Sequence, residues 1–229
     1  MARGIRSGLL RNIGIIALIL AFSLTCVVPA ALAVAPENRT YGFFMIRVNE
    51  FLENVPVTNS GWVRMAGVAA WGPVEPVAGS GVYDFSLADP IVQEANNLDI
   101  TLLLTVNPVH EGDAGASQKA LPTDMQSYKA FLTAFVERYD GDGVNDAPNS
   151  PVVRYWQIGN EPDNVTEGGE RQEWNDTPEN FALLLTESAE AIRQADPNAV
   201  ILLAGLAQGL SGLNEFYVPM FAALDAYSG

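Results

Sequence analysis

The residues best placed to do chemistry lie in one run, Tyr155-Trp156-Gln157-Ile158-Gly159-Asn160-Glu161-Pro162-Asp163. Apolar residues lead into it from Val152 and a proline follows the glutamate, so a strand delivers a carboxylate to its C-terminal tip with an amide directly before it. In parallel α/β folds those strand ends form the active face. Strand side chains alternate, so Tyr155, Gln157, Gly159 and Glu161 share one face and Trp156 and Ile158 the other. Partial burial at such a mouth disfavours the charged form of a carboxyl, which would raise the pKa of Glu161 and suit it to proton donation.

The rest of the inventory excludes most alternatives. The chain has one cysteine, Cys26, and one histidine, His110. A disulfide framework and a multi-histidine metal centre are therefore ruled out, and a Ser-His-Asp enzyme would have to use His110. A Gly-x-Ser-x-Gly elbow, a dinucleotide fingerprint and a Walker loop are all missing. Lys and Arg number 12 against 27 Asp and Glu, a formal net charge of −15, and such a field repels nucleic acid and anionic lipid. Asp140-Gly-Asp-Gly-Val-Asn-Asp146 has oxygen ligands at alternate positions and glycines for the turn, as in a calcium loop. Pro151 stands where the twelfth-position glutamate would be. The segment reads as a structural Ca²⁺ loop or as a solvated acidic turn. No cofactor and no other metal is expected.

The elements that must position Glu161 alternate strand and helix. Strands are expected at Phe43–Arg47, Gly61–Ala66, Ile100–Val106, Val152–Gly159 and Ala199–Ala204, with a Gly/Pro-rich loop from Gly67 to Gly81. Leu87, Ile91, Ala95 and Leu98 fall at helical spacing, as do Tyr128, Phe131, Leu132, Phe135, Val136 and Tyr139. Thr177-Pro178-Glu179 opens a further helix, with Phe181, Leu184, Leu185, Ser188, Ile192 and Ala195 as its buried stripe. Another helix is expected over Phe216–Ala226. Apolar strands alternating with helices argue for a parallel α/β sheet, either open and doubly wound or part of a (β/α)8 barrel.

Upstream, Arg3, Arg6 and Arg11 precede the apolar run Ile13–Val28 and the small-x-small sequence Ala31-Leu32-Ala33. This pattern predicts a signal peptide over residues 1–33, export to the cell envelope or beyond, and no stable membrane partner after cleavage. Residues 34–229 then form one domain.

Trp-Gln-Ile-Gly-Asn-Glu-Pro-Asp resembles the fourth-strand signature of the clan of retaining glycoside hydrolases built on (β/α)8 TIM barrels, which includes cellulases, β-xylosidases and β-galactosidases. A second block, Trp71-Gly-Pro-Val-Glu75-Pro-Val-Ala-Gly-Ser-Gly-Val-Tyr-Asp-Phe85 followed by Asp89, is similar to the loop after the second strand in several families of that clan. The resemblance runs from about Gly61 to Gly205 and implies a TIM barrel with strands 1–5 present. It implies Glu161 as general acid/base, and Asn160 as a hydrogen-bond partner of a sugar hydroxyl. It implies Arg64 as the arginine that orients the second carboxylate, Trp71 as a platform for a sugar face, and His110 as a cleft-lining residue. Glu75 reads as fixing its loop. The implied reaction is retaining hydrolysis of O-glycosidic bonds in poly- or oligosaccharides, which requires two carboxyl groups ~5–5.5 Å apart. In the clan the nucleophile ends the seventh strand, beyond this sequence, so the chain alone is expected to be inactive. The alternative is an exported carbohydrate-binding protein that keeps the cleft without catalysis.

Overall fold

The computed structural model describes residues 41–45 and 47–227; the proposed leader lies outside them. In chain order the elements are β1 (Gly42–Met45), α1 (Val48–Asn54), β2 (Trp62–Ala70), α2 (Trp71–Val74), α3 (Ala88–Asn97) and β3 (Thr101–Asn107). They continue with α4 (Met125–Glu137), β4 (Tyr155–Ile158), α5 (Pro178–Ala195), β5 (Val200–Leu203), α6 (Gly209–Gly212) and α7 (Val218–Tyr227). A π-helical turn, Leu213–Tyr217, joins α6 to α7.

All five strands pair in parallel in the order in which they occur. Phe44, Arg64, Leu103, Tyr155 and Val200 lie side by side across them, and Thr105, Gln157 and Leu202 form the next layer towards the C-terminal ends. Alternation decides what each layer meets. Val63, Met65, Leu102, Leu104, Val106, Trp156 and Ile158 are buried on the opposite face. The helices cover that face, and Phe135 of α4 meets Trp156 edge-on at 6.0 Å. Helix α4 buries its whole expected stripe, including Tyr139 just past its end. The hydroxyl groups of Tyr128 and Ser188 pair at 2.9 Å and join α4 to α5 inside the core. Both helix starts are capped: Asp124 accepts from the Ser127 N–H at 3.0 Å, and Thr177 from the Asn180 N–H at 3.1 Å.

Several boundaries differ from expectation. Strand β2 continues through Gly67 to Ala70, because Val68, Ala69 and Ala70 are buried and an irregularity between Met65 and Ala69 re-registers them. Gly67 takes φ 87° there, which a β-branched residue would resist. Strand β4 starts only at Tyr155. The Val152 backbone is held instead by the Asn96 side chain, at 3.0 and 3.2 Å, and the Val153 N–H by the Tyr139 carbonyl. Leu87 is 48% exposed and lies outside the stripe of α3. Helix α1 was not foreseen; with Phe51 as the one fully buried anchor among its described side chains, it is too short to show a period.

Candidate active site

The site grows from the way β4 ends. Gly159 takes φ 68° and donates its N–H to the Val106 carbonyl at 3.0 Å. A Cβ there would lie 3.1 Å from the Phe181 ring, so both the turn and the close approach of α5 call for glycine. Two residues later Glu161 itself sits at φ 38°, a left-handed conformation that L side chains adopt only under strain. Simple strand alternation therefore stops at Ile158 and does not govern Glu161.

Three side chains lock this turn. The Gln157 amide donates to the Gly159 carbonyl at 2.9 Å and accepts from Arg64 Nε at 2.9 Å. Arg64 Nη2 donates to Asn160 Oδ1 at 2.7 Å. With its oxygen taken, Asn160 presents an NH2 group that is a donor only, suited to an acceptor oxygen on a ligand. The guanidinium lies 4.2 Å from the centroid of the Phe44 ring. Burial lowers the Arg64 pKa and the neighbouring Glu161 charge raises it; a guanidinium remains cationic through both. Glu161 is half-buried, and its Oε2 accepts from Asn164 Nδ2 at 3.2 Å. The Tyr217 hydroxyl donates to the Ala204 and Gly205 carbonyls, at 2.8 and 3.0 Å. Its pKa is pushed up by burial and by the charges of Asp163 and Glu161.

Beside this network a cleft of about 410 Å3 opens at the C-terminal ends of β2, β3 and β4, lined by Phe44, Thr105, Asn107, Asn160, Trp174 and Phe181 among others. The Thr105 hydroxyl at its wall is buried and makes no hydrogen bond among the described residues. Of the residues expected at a site, the structure brings Arg64, Asn160 and Glu161 together. It does not bring Trp71 or His110 to the cleft. Trp71 is fully buried, with its indole N–H on Glu75 Oε2 at 2.7 Å and its ring edge-on to His110 and Tyr128 at 4.8 and 5.6 Å. It has no free face for a sugar. His110 is 3% exposed. Its Nδ1 accepts from the Gly112 N–H at 2.8 Å, which leaves Nε2 as the donor to the Glu75 carbonyl at 2.6 Å. Both ring nitrogens are thus committed to backbone. Glu75 fixes its loop as expected, since Oε1 also accepts from the Gly81 N–H at 2.8 Å.

The residues not foreseen are Gln157, Phe44, Thr105, Asn107, Lys119 and Trp174. Gln157 was discoverable from its place two residues before Gly159 on the same strand face. The others reach the cleft through tertiary packing, which leaves no local pattern. Asp89 accepts a two-pronged ion pair from Arg138, at 2.8 and 2.6 Å, and the Tyr139 hydroxyl at 2.7 Å, and so ties α3 to the end of α4.

Asp140, Asp142 and Asp146 do gather, with carboxylate oxygens all within 4.8 Å of one another. The loop's own N–H groups serve these oxygens: Asp142 N–H to Asp140 at 3.1 Å, Gly143 N–H to Asp146 at 3.1 Å, and Val144 N–H to Asp142 at 2.7 Å. The carboxylates could meet a Ca²⁺ ion only in part, because Pro151 takes the place of the bidentate glutamate. The loop plays no part in the site.

No family model and no curated protein matches this chain. Solved structures do. A glucosidase from Croceicoccus marinus matches at TM-score 0.52 and 18% identity, over 73% of this chain and 35% of that one. Xylanase 10B from Thermotoga petrophila RKU-1, solved with xylobiose, matches at TM-score 0.55 and 16% identity, over 82% and 56%. The GH39 enzyme from Xanthomonas axonopodis pv. citri matches at TM-score 0.54 and 18% identity, over 81% and 39%. The fold is that of the TIM-barrel glycoside hydrolases. The chain spans between about a third and three-fifths of the solved structures it matches, and its five parallel strands form an incomplete barrel.

Proposed function

We propose that this chain is the acid/base-bearing part of an exported glycoside hydrolase that cleaves O-glycosidic bonds of poly- or oligosaccharides with retention. The observation that carries the reading is the strained Glu161 at the tip of β4, directly after Asn160, whose amide is held by Arg64 and lines a cleft of about 410 Å3. Backbone strain persists only where the surroundings over-determine it, and it concentrates at functional positions. Asn160 donates to a sugar hydroxyl next to the scissile bond. Glu161 protonates the leaving oxygen as a second carboxylate attacks the anomeric carbon. The deprotonated Glu161 then takes a proton from the water that releases the sugar. That second carboxylate is contributed by strands other than these five. The ligand is uncharged over most of its length, in keeping with a chain of formal charge −15.

Presenting xylan-, cellulose- and mannan-derived oligosaccharides to the protein by calorimetry tests the site. Binding that Asn160→Ala weakens about tenfold, the effect of one lost hydrogen bond in a desolvated site, supports it. A failure of every sugar to bind removes it. Where hydrolysis accompanies binding, Glu161→Gln abolishes it on poor leaving groups and spares the first step on activated aryl glycosides; unchanged turnover on both refutes the assignment. The second reading, a carbohydrate-binding protein on the same fold, predicts binding without hydrolysis even when the strands that would carry the second carboxylate are present.

A further inference from the structure

The cationic side chains of the described residues are almost all spoken for. Arg47, Lys129, Arg138 and Arg154 make ion pairs, Arg64 holds Gln157 and Asn160, Arg171 lies over the Phe216 ring, and Arg193 stands in the last turn of α5, outside the cleft lining. Lys119 differs. It lines the cleft together with Asn160, Glu173 and Trp174, yet its ammonium makes no ion pair among the described residues and donates only to the Gln172 carbonyl. An ammonium carries three donors, so the charge and two N–H groups are uncommitted. The position is built rather than incidental. Lys119 sits at φ 56°, its carbonyl accepts from the Asn175 N–H at 2.8 Å, and its own N–H donates to the Ala116 carbonyl at 3.0 Å. The left-handed turn therefore holds the side chain against the 172–174 segment at the cleft wall. In a chain with 27 acidic residues against 12 basic ones, a lysine without an ion pair at a cleft is a local inversion of the overall field.

We propose that Lys119 is a specificity residue that reads a carboxylate on one sugar unit of an otherwise neutral oligosaccharide. The proposal rests on the glycan-site reading above. Two scales of electrostatics fix the class of ligand. At contact range the ammonium favours an anion through a charge-assisted hydrogen bond. At longer range the formal charge of −15, and Glu173 on the same wall, repel a polyanion. The ligand is thus a neutral backbone bearing an isolated uronic acid unit, not a polyuronate.

The test is calorimetry at low salt with three probes: a neutral xylo-oligosaccharide, the same oligosaccharide carrying one glucuronic acid side group, and the methyl ester of that acid. The ester keeps the shape and removes the charge. The acid should bind about tenfold more tightly than its ester, and the preference should shrink as salt rises. Lys119→Gln should erase the preference of acid over ester, while Lys119→Arg retains it; matching thermal midpoints certify that each variant folds. Equal binding of acid and ester to the native protein, or a preference that survives Lys119→Gln, overturns the proposal. If none of the three probes binds, the glycan-site reading itself falls, and the proposal with it; neutral binding without acid preference overturns the proposal alone.

Discussion

The buried Trp71–Glu75 pair offers a direct test of how the loop after β2 is held. The indole N–H meets a carboxylate oxygen at 2.7 Å, and both residues are within 1% of full burial. A hydrogen bond to a charged acceptor is worth about 1.5–3 kcal/mol, and in a dry site no water replaces it. Glu75→Leu orphans that donor; the Gly81 N–H, which lies on an exposed residue, regains water. The cost of the single variant mixes this loss with relief from burying a charge, so a double-mutant cycle with Trp71→Phe isolates the pair. Phenylalanine keeps the ring contacts with His110 and Tyr128 but has no N–H to orphan. Urea denaturation followed by circular dichroism should give a coupling of about 1.5–3 kcal/mol, with Glu75→Leu costing less in the Trp71→Phe background by that amount. A coupling below about 0.5 kcal/mol would refute the reasoning. The same variant decides the role of the tryptophan, because Trp71→Phe should leave oligosaccharide affinity untouched. A tenfold loss would return Trp71 to the sugar platform that its residue type suggested.

Three further outcomes follow from named contacts. Asp113 is buried, and although burial raises its pKa, N–H groups from Ala116, Thr123, Asp124 and Gly115 bring it below the usual value. Its stabilisation is therefore complete above a pH of about 4 and is lost as pH falls through the lower folded value. Asp113→Asn should cost about 1–3 kcal/mol at neutral pH and flatten the acid limb of the stability profile, as read from thermal midpoints across the acid range. Gly212→Ala drives a methyl into the Asp163 carboxylate, which is itself pinned by the Ala207 and Gln208 N–H groups; it should destabilise by about 1–3 kcal/mol in denaturant titration. Arg64→Lys keeps the charge but cannot reach Gln157 and Asn160 at once, so oligosaccharide affinity should fall about as far as in Asn160→Ala, and a native-like affinity would separate Arg64 from the site.

The parts of this molecule legible in advance were those where local pattern and tertiary environment agree. The aromatic stripe from Tyr128 to Tyr139 repeats at helical spacing and is buried throughout, and the Thr177-Pro178 start is capped as its chemistry requires. The apolar runs that became β3 and β5 were found to within a residue, because the strands of a parallel α/β sheet read as near-continuous apolar runs. Glu161 stood out at the tip of a strand, Arg64 and Asn160 entered through the resemblance, and the structure places the three side by side. Legibility failed where partners distant in sequence decide the outcome. Trp71 and His110 have the residue types of a sugar site, yet Glu75 and the Gly112 backbone absorb their polar atoms and make them core. The turn at Gly159 rests on a ring from α5, and Lys119 reaches the cleft through a 3-10 turn and a contact with Gln172, neither of which leaves a periodic trace.

The linear order of the sheet leaves β1 and β5 each paired on one side only among the described residues, and Phe43, Phe44 and Val200 on those strands are 41%, 52% and 43% exposed. Parallel strands offer a regular ladder of amide and carbonyl groups to whatever approaches, and apolar side chains remove the water that would compete. Where such edges pair between molecules, folding and self-association become linked equilibria, and the midpoint of a melting curve acquires a concentration axis. A midpoint that climbs as protein is added reports edges pairing with edges between folded molecules. One that stays flat reports a sheet whose outer strands are protected by their own short length and twist. Stability comparisons between variants therefore belong at one fixed protein concentration.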